Sequence, residues 1–213
     1  GMDTTTILYE LVKKYSSKDV LAISFDYGSK HNQFEIQKAL MSCKKLKVQH
    51  KIVDIKSVFE LFKSALLLKG EKIPKGHYED KSMKKTVVPF RNGILLAIAT
   101  GIAESKKIKK VYYGAHGGDH AIYPDCRNSF LEAMSLTAKE GTYEKIQIEA
   151  PYMKLDKTKI LKRGLELNVN YKLTHTCYDP DEFGRACGKC GACTERLESF
   201  SSNKVKDPVL YQL

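Results

Sequence analysis

Four of the chain's six cysteines fall between Cys177 and Cys193, with the spacing C-x9-C-x2-C-x2-C. Four thiolates close a tetrahedron around Zn²⁺ at about 2.3 Å per bond, and a C-x-x-C pair supplies two ligands from one tight turn. Gly188 and Gly191 suit such turns, because glycine reaches positive φ and lets backbone amides face the sulfurs. Arg185, Lys189 and Arg196 stand where they would offset the negative charge of a four-thiolate centre. Cys177, Cys187, Cys190 and Cys193 are therefore expected to hold one structural zinc ion, with every ligand position occupied by protein. Two disulfides, a redox C-x-x-C and an iron–sulfur cluster are the rival uses of such a set. The start does not resemble a signal peptide, which counts against disulfides. Cys43 and Cys126 are left as free thiols, Cys43 at an apolar helix position.

Chemistry of a second kind is suggested at the N-terminus, where Gly1-Met2-Asp3-Thr4-Thr5-Thr6 opens a helix. Unpaired amides and hydroxyls at a helix start attract phosphate, and the helix dipole favours an anion there. The same residues also read as an ordinary cap with Asp3 at its head. Two further stretches, Ser24 to Gly28 and Gly114 to Asp119, place small and acidic residues directly after an apolar run. Each is either a ligand loop or a plain turn.

The elements that must position these residues follow from periodicity. Helical spacing recurs over residues 4–15, 33–46, 57–68, 91–104, 128–139 and 156–167, and a last helix starts near Cys193. Short apolar runs at 19–25, 48–54, 111–114 and 146–148 read as strands, the first of them buried on both faces. Residues 69–88, polar and lysine-rich with Pro74 and Gly76, read as a mobile excursion. Strands alternating with helices predict an α/β fold, a parallel sheet with helices on both faces. Ligands of such sheets bind beyond the carboxyl ends of the strands.

Composition narrows the classes. The chain has 213 residues, enough for one domain with a small appendage. No apolar run looks long enough to cross a bilayer, so the expectation is a cytoplasmic protein with no membrane partner. Its 36 Lys+Arg against 25 Asp+Glu give a formal charge of +11. The lysines are dispersed rather than gathered in a stripe with aromatics, which argues against a nucleic-acid partner and suits small anions such as ATP.

Taken in order, several stretches carry a resemblance: Gly1 to Thr6, Ser24-Phe25-Asp26-Tyr27-Gly28, Val88-Pro89-Phe90-Arg91-Asn92, and Gly114-Ala115-His116-Gly117-Gly118-Asp119. Ile122-Tyr123-Pro124-Asp125-Cys126-Arg127, Glu149-Ala150-Pro151 and the cysteine loop complete it. Gly1 to Thr6 looks like the second half of a pyrophosphate loop, and the whole series resembles the 7-cyano-7-deazaguanine synthase family. The resemblance implies a Rossmann-like, adenine nucleotide alpha hydrolase-like ATP-binding domain over residues 1–173 and a zinc-binding segment over 174–213. It implies an ATP-dependent ligase that joins 7-carboxy-7-deazaguanine and ammonia through adenylated intermediates, with Mg²⁺ accompanying ATP. Gly1, Met2, Asp3, Thr4, Thr5, Thr6, Ser24, Phe25 and Gly114 are its expected nucleotide contacts. Asp3, Arg91, Asp119, Asp125 and Arg127 are its expected catalytic residues. A homodimer is also implied.

The resemblance is imperfect at the start. The family's loop begins with an apolar strand and Ser-Gly ahead of Gly1, and Thr4 replaces the usual Ser. Loss of a central strand would leave its neighbours unpaired, so weak ATP turnover is expected unless another segment, such as Pro208 to Leu213, fills the slot. The competing functions are an enzyme that stops at 7-amido-7-deazaguanine, a tRNA-thiolating relative, and a zinc-stabilised nucleic-acid or partner-binding module without catalysis.

Overall fold

The alternation of apolar runs becomes an alternation of helices and strands in the computed structural model, which describes residues 1–77, 80–119 and 122–212, and of Asp119 the backbone alone. In chain order the elements are α1 (Met2–Lys14), β1 (Leu21–Asp26), α2 (Asn32–Leu46), β2 (Gln49–Asp54), α3 (Lys56–Phe59) and α4 (Arg91–Ser105). β3 (Lys110–Tyr112), α5 (Asn128–Glu140), β4 (Gln147–Glu149), α6 (Lys157–Glu166) and α7 (Gly191–Ser202) follow. Both strand pairs are parallel, as the crossover helices between them require. The chain divides into two compact units: residues 1–89 with 157–213, and residues 90–156.

In the first unit, β1 and β2 run in register from Leu21 opposite Gln49 to Asp26 opposite Asp54, with α2 as the crossover. Two carboxylates thus meet at the carboxyl ends of the strands, and the Lys56 ammonium bridges them at 3.1 Å from Asp26 and 2.8 Å from Asp54. Burial alone would raise the Asp26 carboxyl. Donors from Lys56, Asn32 and the Gly28 amide outweigh that and hold it below the usual carboxylate range. Gly28, at φ +75°, makes the turn these bonds close around.

The core of this unit joins α1, α6 and α7 through Met2, Leu161, Val169, Tyr171 and Phe200. Gly164 lets α6 approach: a Cβ there would lie 1.7 Å from the Tyr171 hydroxyl. That hydroxyl bonds the Thr6 hydroxyl at 2.8 Å, and burial pushes the phenol up to about 12. The second unit packs α4 and α5 on β3 and β4, around Leu96, Ala138 and Ile148 with Val111, Phe130 and Met134.

Three expectations need correction. The helix foreseen over 57–68 ends as α3 at Phe59. Beyond it the Ser64 hydroxyl accepts from the Leu66 amide and the Ala65 amide donates to Lys85 O, so local bonds compete with the helical ladder. β1 is half-buried along its length rather than covered on both faces. The lysine-rich 69–88 stretch is anchored: Ile73, Met83 and Thr86 are buried, and Lys75 pairs with Cys190 as an antiparallel bridge.

Among the described residues, Lys81–Ser105 is one stretch with the length and composition to cross a membrane. It is not one α-helix. Lys81–Thr86 is a 3₁₀ turn, Pro89 follows, and α4 itself has 15 residues. That is about 22 Å of helix against a hydrocarbon core of about 30 Å.

Candidate metal centre and substrate loops

The four sulfurs of Cys177, Cys187, Cys190 and Cys193 all lie within 4.8 Å of one another, and three of the four residues are buried. A tetrahedral ion with bonds of about 2.3 Å needs ligand sulfurs about 3.8 Å apart; Cys187 and Cys193 stand 4.0 Å apart. None of the six cysteines is joined in a disulfide. Contact with the other three sulfurs, Cys187 first, pushes the Cys177 thiol up, and contact with Cys177 first holds Cys187 down. Four sulfurs at this spacing cannot all ionise unless a cation sits among them. The donor set and spacing therefore fit a metal ion.

What stabilises charge on the sulfurs is backbone. The Asp179 and Cys187 amides donate to Cys177 Sγ at 3.3 and 3.2 Å. The Lys189 and Cys190 amides donate to Cys187 Sγ at 3.4 and 3.3 Å, the geometry of a tight C-x-x-C turn through Gly188 at φ +71°. Arg185 and Arg196, expected to balance the thiolates, are instead taken by carboxylates. Arg185 pairs with Asp181, and Arg196, 1 % exposed, makes two bonds to Asp207 at 2.6 and 2.9 Å. The Tyr211 hydroxyl also donates to Asp207 at 2.8 Å. The C-terminal segment thereby bridges to Ala186 in the cysteine loop and joins neither strand pair. His175, which burial holds down to about 4, is neutral and donates through Nε2 to Cys177 O.

At the start of α1 the N-cap is Gly1, not Asp3, and Thr4 is exposed. Met2 and Thr6 lie in the core, and the Thr5 and Thr6 hydroxyls donate to the carbonyls of Gly1 and Met2. Any anion bound here would meet backbone amides and Thr4 rather than those two hydroxyls. Asp3 pairs with Lys157 at 2.8 Å, and Lys157 also reaches Glu195 at 3.4 Å, two residues past Cys193. Ser24 and Phe25 lie in β1, and Ser24 Oγ meets His50 Nε2 at 2.8 Å.

In the second unit, Gly114 follows β3 and the chain turns through Gly117–Asp119. The Asp119 side chain and His120 lie outside the described residues. His116 is buried, its Nδ1 accepting from the Gly118 amide. Arg91 opens α4, and Arg127 is the exposed residue ahead of α5. Asp125 is buried, and its Oδ2 accepts from the Asn92 amide at 2.8 Å. Asn92 and Lys157 were not singled out from sequence. Asn92 had a signal in the Val88 to Asn92 motif, whereas Lys157 sits 154 positions from its partner Asp3 with no local cue.

Known proteins resemble this chain over most of its length. The family described as "Queuosine biosynthesis protein QueC" matches residues 1–204. A 7-cyano-7-deazaguanine synthase of Hahella chejuensis is 49% identical over 212 residues, covering 100% of this chain and 90% of that protein. One from Caldicellulosiruptor saccharolyticus is 49% identical over 213 residues, covering 100% of this chain and 92% of its own. Among solved structures, the U34-tRNA thiolase NcsA from Methanococcus maripaludis aligns with a TM-score of 0.51 at 16% identity, over 95% of this chain and 63% of that chain. That likeness places the chain in an α/β fold shared across distant sequences, and the near relatives place it more closely. With the match running over essentially its whole length, this chain belongs to the QueC family of queuosine biosynthesis proteins.

Proposed function

We propose that this chain is an ATP-dependent carbon–nitrogen ligase that converts 7-carboxy-7-deazaguanine and ammonia to 7-cyano-7-deazaguanine. The observation that carries the reading is near-half identity, over the whole chain, to proteins bearing the name of that activity. A carboxylate resists attack by ammonia because oxide is a poor leaving group. Adenylation replaces oxide with AMP and releases pyrophosphate, ammonia then displaces AMP to give the amide, and a second adenylation of the amide oxygen lets the nitrile form as AMP leaves.

The residues are assigned by chemistry. Gly1 to Thr6 hold the β and γ phosphates through the free amides of α1, with Asp3 fixed by Lys157. Ser24 and Phe25 of the first unit are assigned to the adenosine, and Gly114 of the second to close approach of a nucleotide to the backbone. Asp119 and Asp125 accept from the guanine-like ring's N–H groups, and Arg91 and Arg127 meet phosphate or carboxylate through their planar forks. Mg²⁺ arrives with ATP and supplies charge neutralisation at the α-phosphate.

Residues 174–213 form the metal-holding segment and residues 1–173 the catalytic domain. Zinc is the ion we assign, because a single tetrahedral ion suits sulfurs this close, whereas a cluster of four irons needs its ligands farther apart. The setting is a cytoplasmic homodimer with small-molecule substrates and neither nucleic acid nor membrane as partner.

The test is incubation of the acid with ATP, Mg²⁺ and ammonium, followed by mass spectrometry. Nitrile with two AMP per product is the expected result. Accumulation of the amide alone would assign the shorter reaction, and neither product would reject the ligase.

A further inference from the structure

Asp125 sits in a short 3₁₀ turn, Pro124–Cys126, between the start of α4 and the start of α5. A buried carboxylate in a turn this short is held only if something fixes the backbone beneath it. One residue makes three bonds to it and its neighbour. The Asn92 backbone amide, among the unpaired donors of the first turn of α4, donates to Asp125 Oδ2 at 2.8 Å. The Asn92 side-chain amide donates to Asp125 O at 3.3 Å and to Cys126 Sγ at 3.2 Å. The carboxylate is thereby gripped through one oxygen and its own carbonyl, leaving Oδ1 to receive a donor from a ligand.

We propose that Asn92 is a positioning residue for substrate recognition: it aims Asp125 at the donor edge of the deazapurine acid, and Cys126 is one of its anchors rather than a nucleophile. The inference rests on the assignment of Asp125 to the ring of the acid under the proposed function. Asn92 itself touches no substrate. Its removal changes where Asp125 points, not how ATP is bound.

The experiment is steady-state kinetics of Asn92→Ala, Asp125→Asn and the double variant, each with its thermal midpoint recorded. Asn92→Ala is expected to raise KM for the acid about tenfold, roughly the loss of one well-placed hydrogen bond. KM for ATP and kcat should stay within about twofold, because only binding of the acid is disturbed. The double variant should be little worse than Asp125→Asn alone, since the first substitution acts through the second. Anchoring is read separately from the modification rate of Cys126 by a thiol reagent, with Cys126→Ala identifying its signal; the rate should rise in Asn92→Ala. Effects that multiply in the double variant, or equal losses for ATP and for the acid, overturn the inference. If the unaltered protein turns over no acid, the functional assignment fails and takes the inference with it; turnover with no change in Asn92→Ala sinks the inference alone.

Discussion

Among the described residues of the first unit Arg196 is the most deeply buried charge, and its surroundings satisfy it fully. Two bonds reach Asp207, others reach Thr174, Thr176 and Tyr171 O, and the guanidinium lies over the Phe200 ring at 5.3 Å. A pair this dry is a poor source of net stability, but breaking one side leaves a charge with no water and no partner. Asp207→Asn is therefore expected to lower unfolding free energy by about 3 kcal/mol in urea titration. Replacing both residues at once, Arg196→Met with Asp207→Leu, should restore most of it. A double variant as unstable as the single one would show that packing around Phe200, not the unpaired charge, sets the cost. The same residue scale shows where reading from sequence stops. C-x-x-C is local, so the cluster was legible from spacing alone. Arg196 with Asp207 is separated by 11 positions and Asn92 with Asp125 by 33, and no periodicity announces such pairs.

Helices and strands were mostly legible because each carries its own pattern of burial. α2, α4, α5 and α6 begin and end within a few residues of where apolar spacing put them. The failure at α3 has a physical cause: Ala65, Leu66 and Leu67 are buried in succession, which no single helix face would do, and the chain spends its amides on Ser64 and Lys85. Close approach between elements was not legible either. α6 packs closely at Gly164 against Tyr171 and Thr6 because residue 164 has no side chain, and a single sequence does not say which glycine serves a contact and which a turn. Gly164→Ala tests the contact. Its methyl would drive into the Tyr171 hydroxyl and come within 3.1 Å of Thr6 Oγ1, breaking the bond between them. Overpacking of this kind costs about 2 kcal/mol, a larger effect than the helix propensity gained by replacing glycine. A thermal midpoint that rises instead would mean α6 can slide without loss.

At the scale of the whole molecule, the sulfur cluster is where segments distant in sequence converge. The Gly76 amide donates to Lys189 O, Lys75 bridges Cys190, the C-terminal segment pairs with Ala186, and α7 starts directly after Cys190. A metal bound there would tie all of these together, and its ligands must be thiolates, so protons compete with the ion. Chelation, or pH low enough to protonate the thiols, is therefore expected to loosen them as a group. Hydrogen exchange should quicken at residues 73–76, 186–193 and 208–212 in step with metal loss. α4 and α5, whose unit contains none of the four cysteines, should keep their protection. Cys187→Ser should reproduce the pattern without chelator, because three thiolates and a hydroxyl hold such an ion less tightly. Loosening that began in α4 and α5 would mean that the metal stabilises the fold through some route other than these segments. Loosening confined to residues 186–193 would reduce the ion to a local clasp and leave the 73–76 and C-terminal segments held by their own hydrogen bonds.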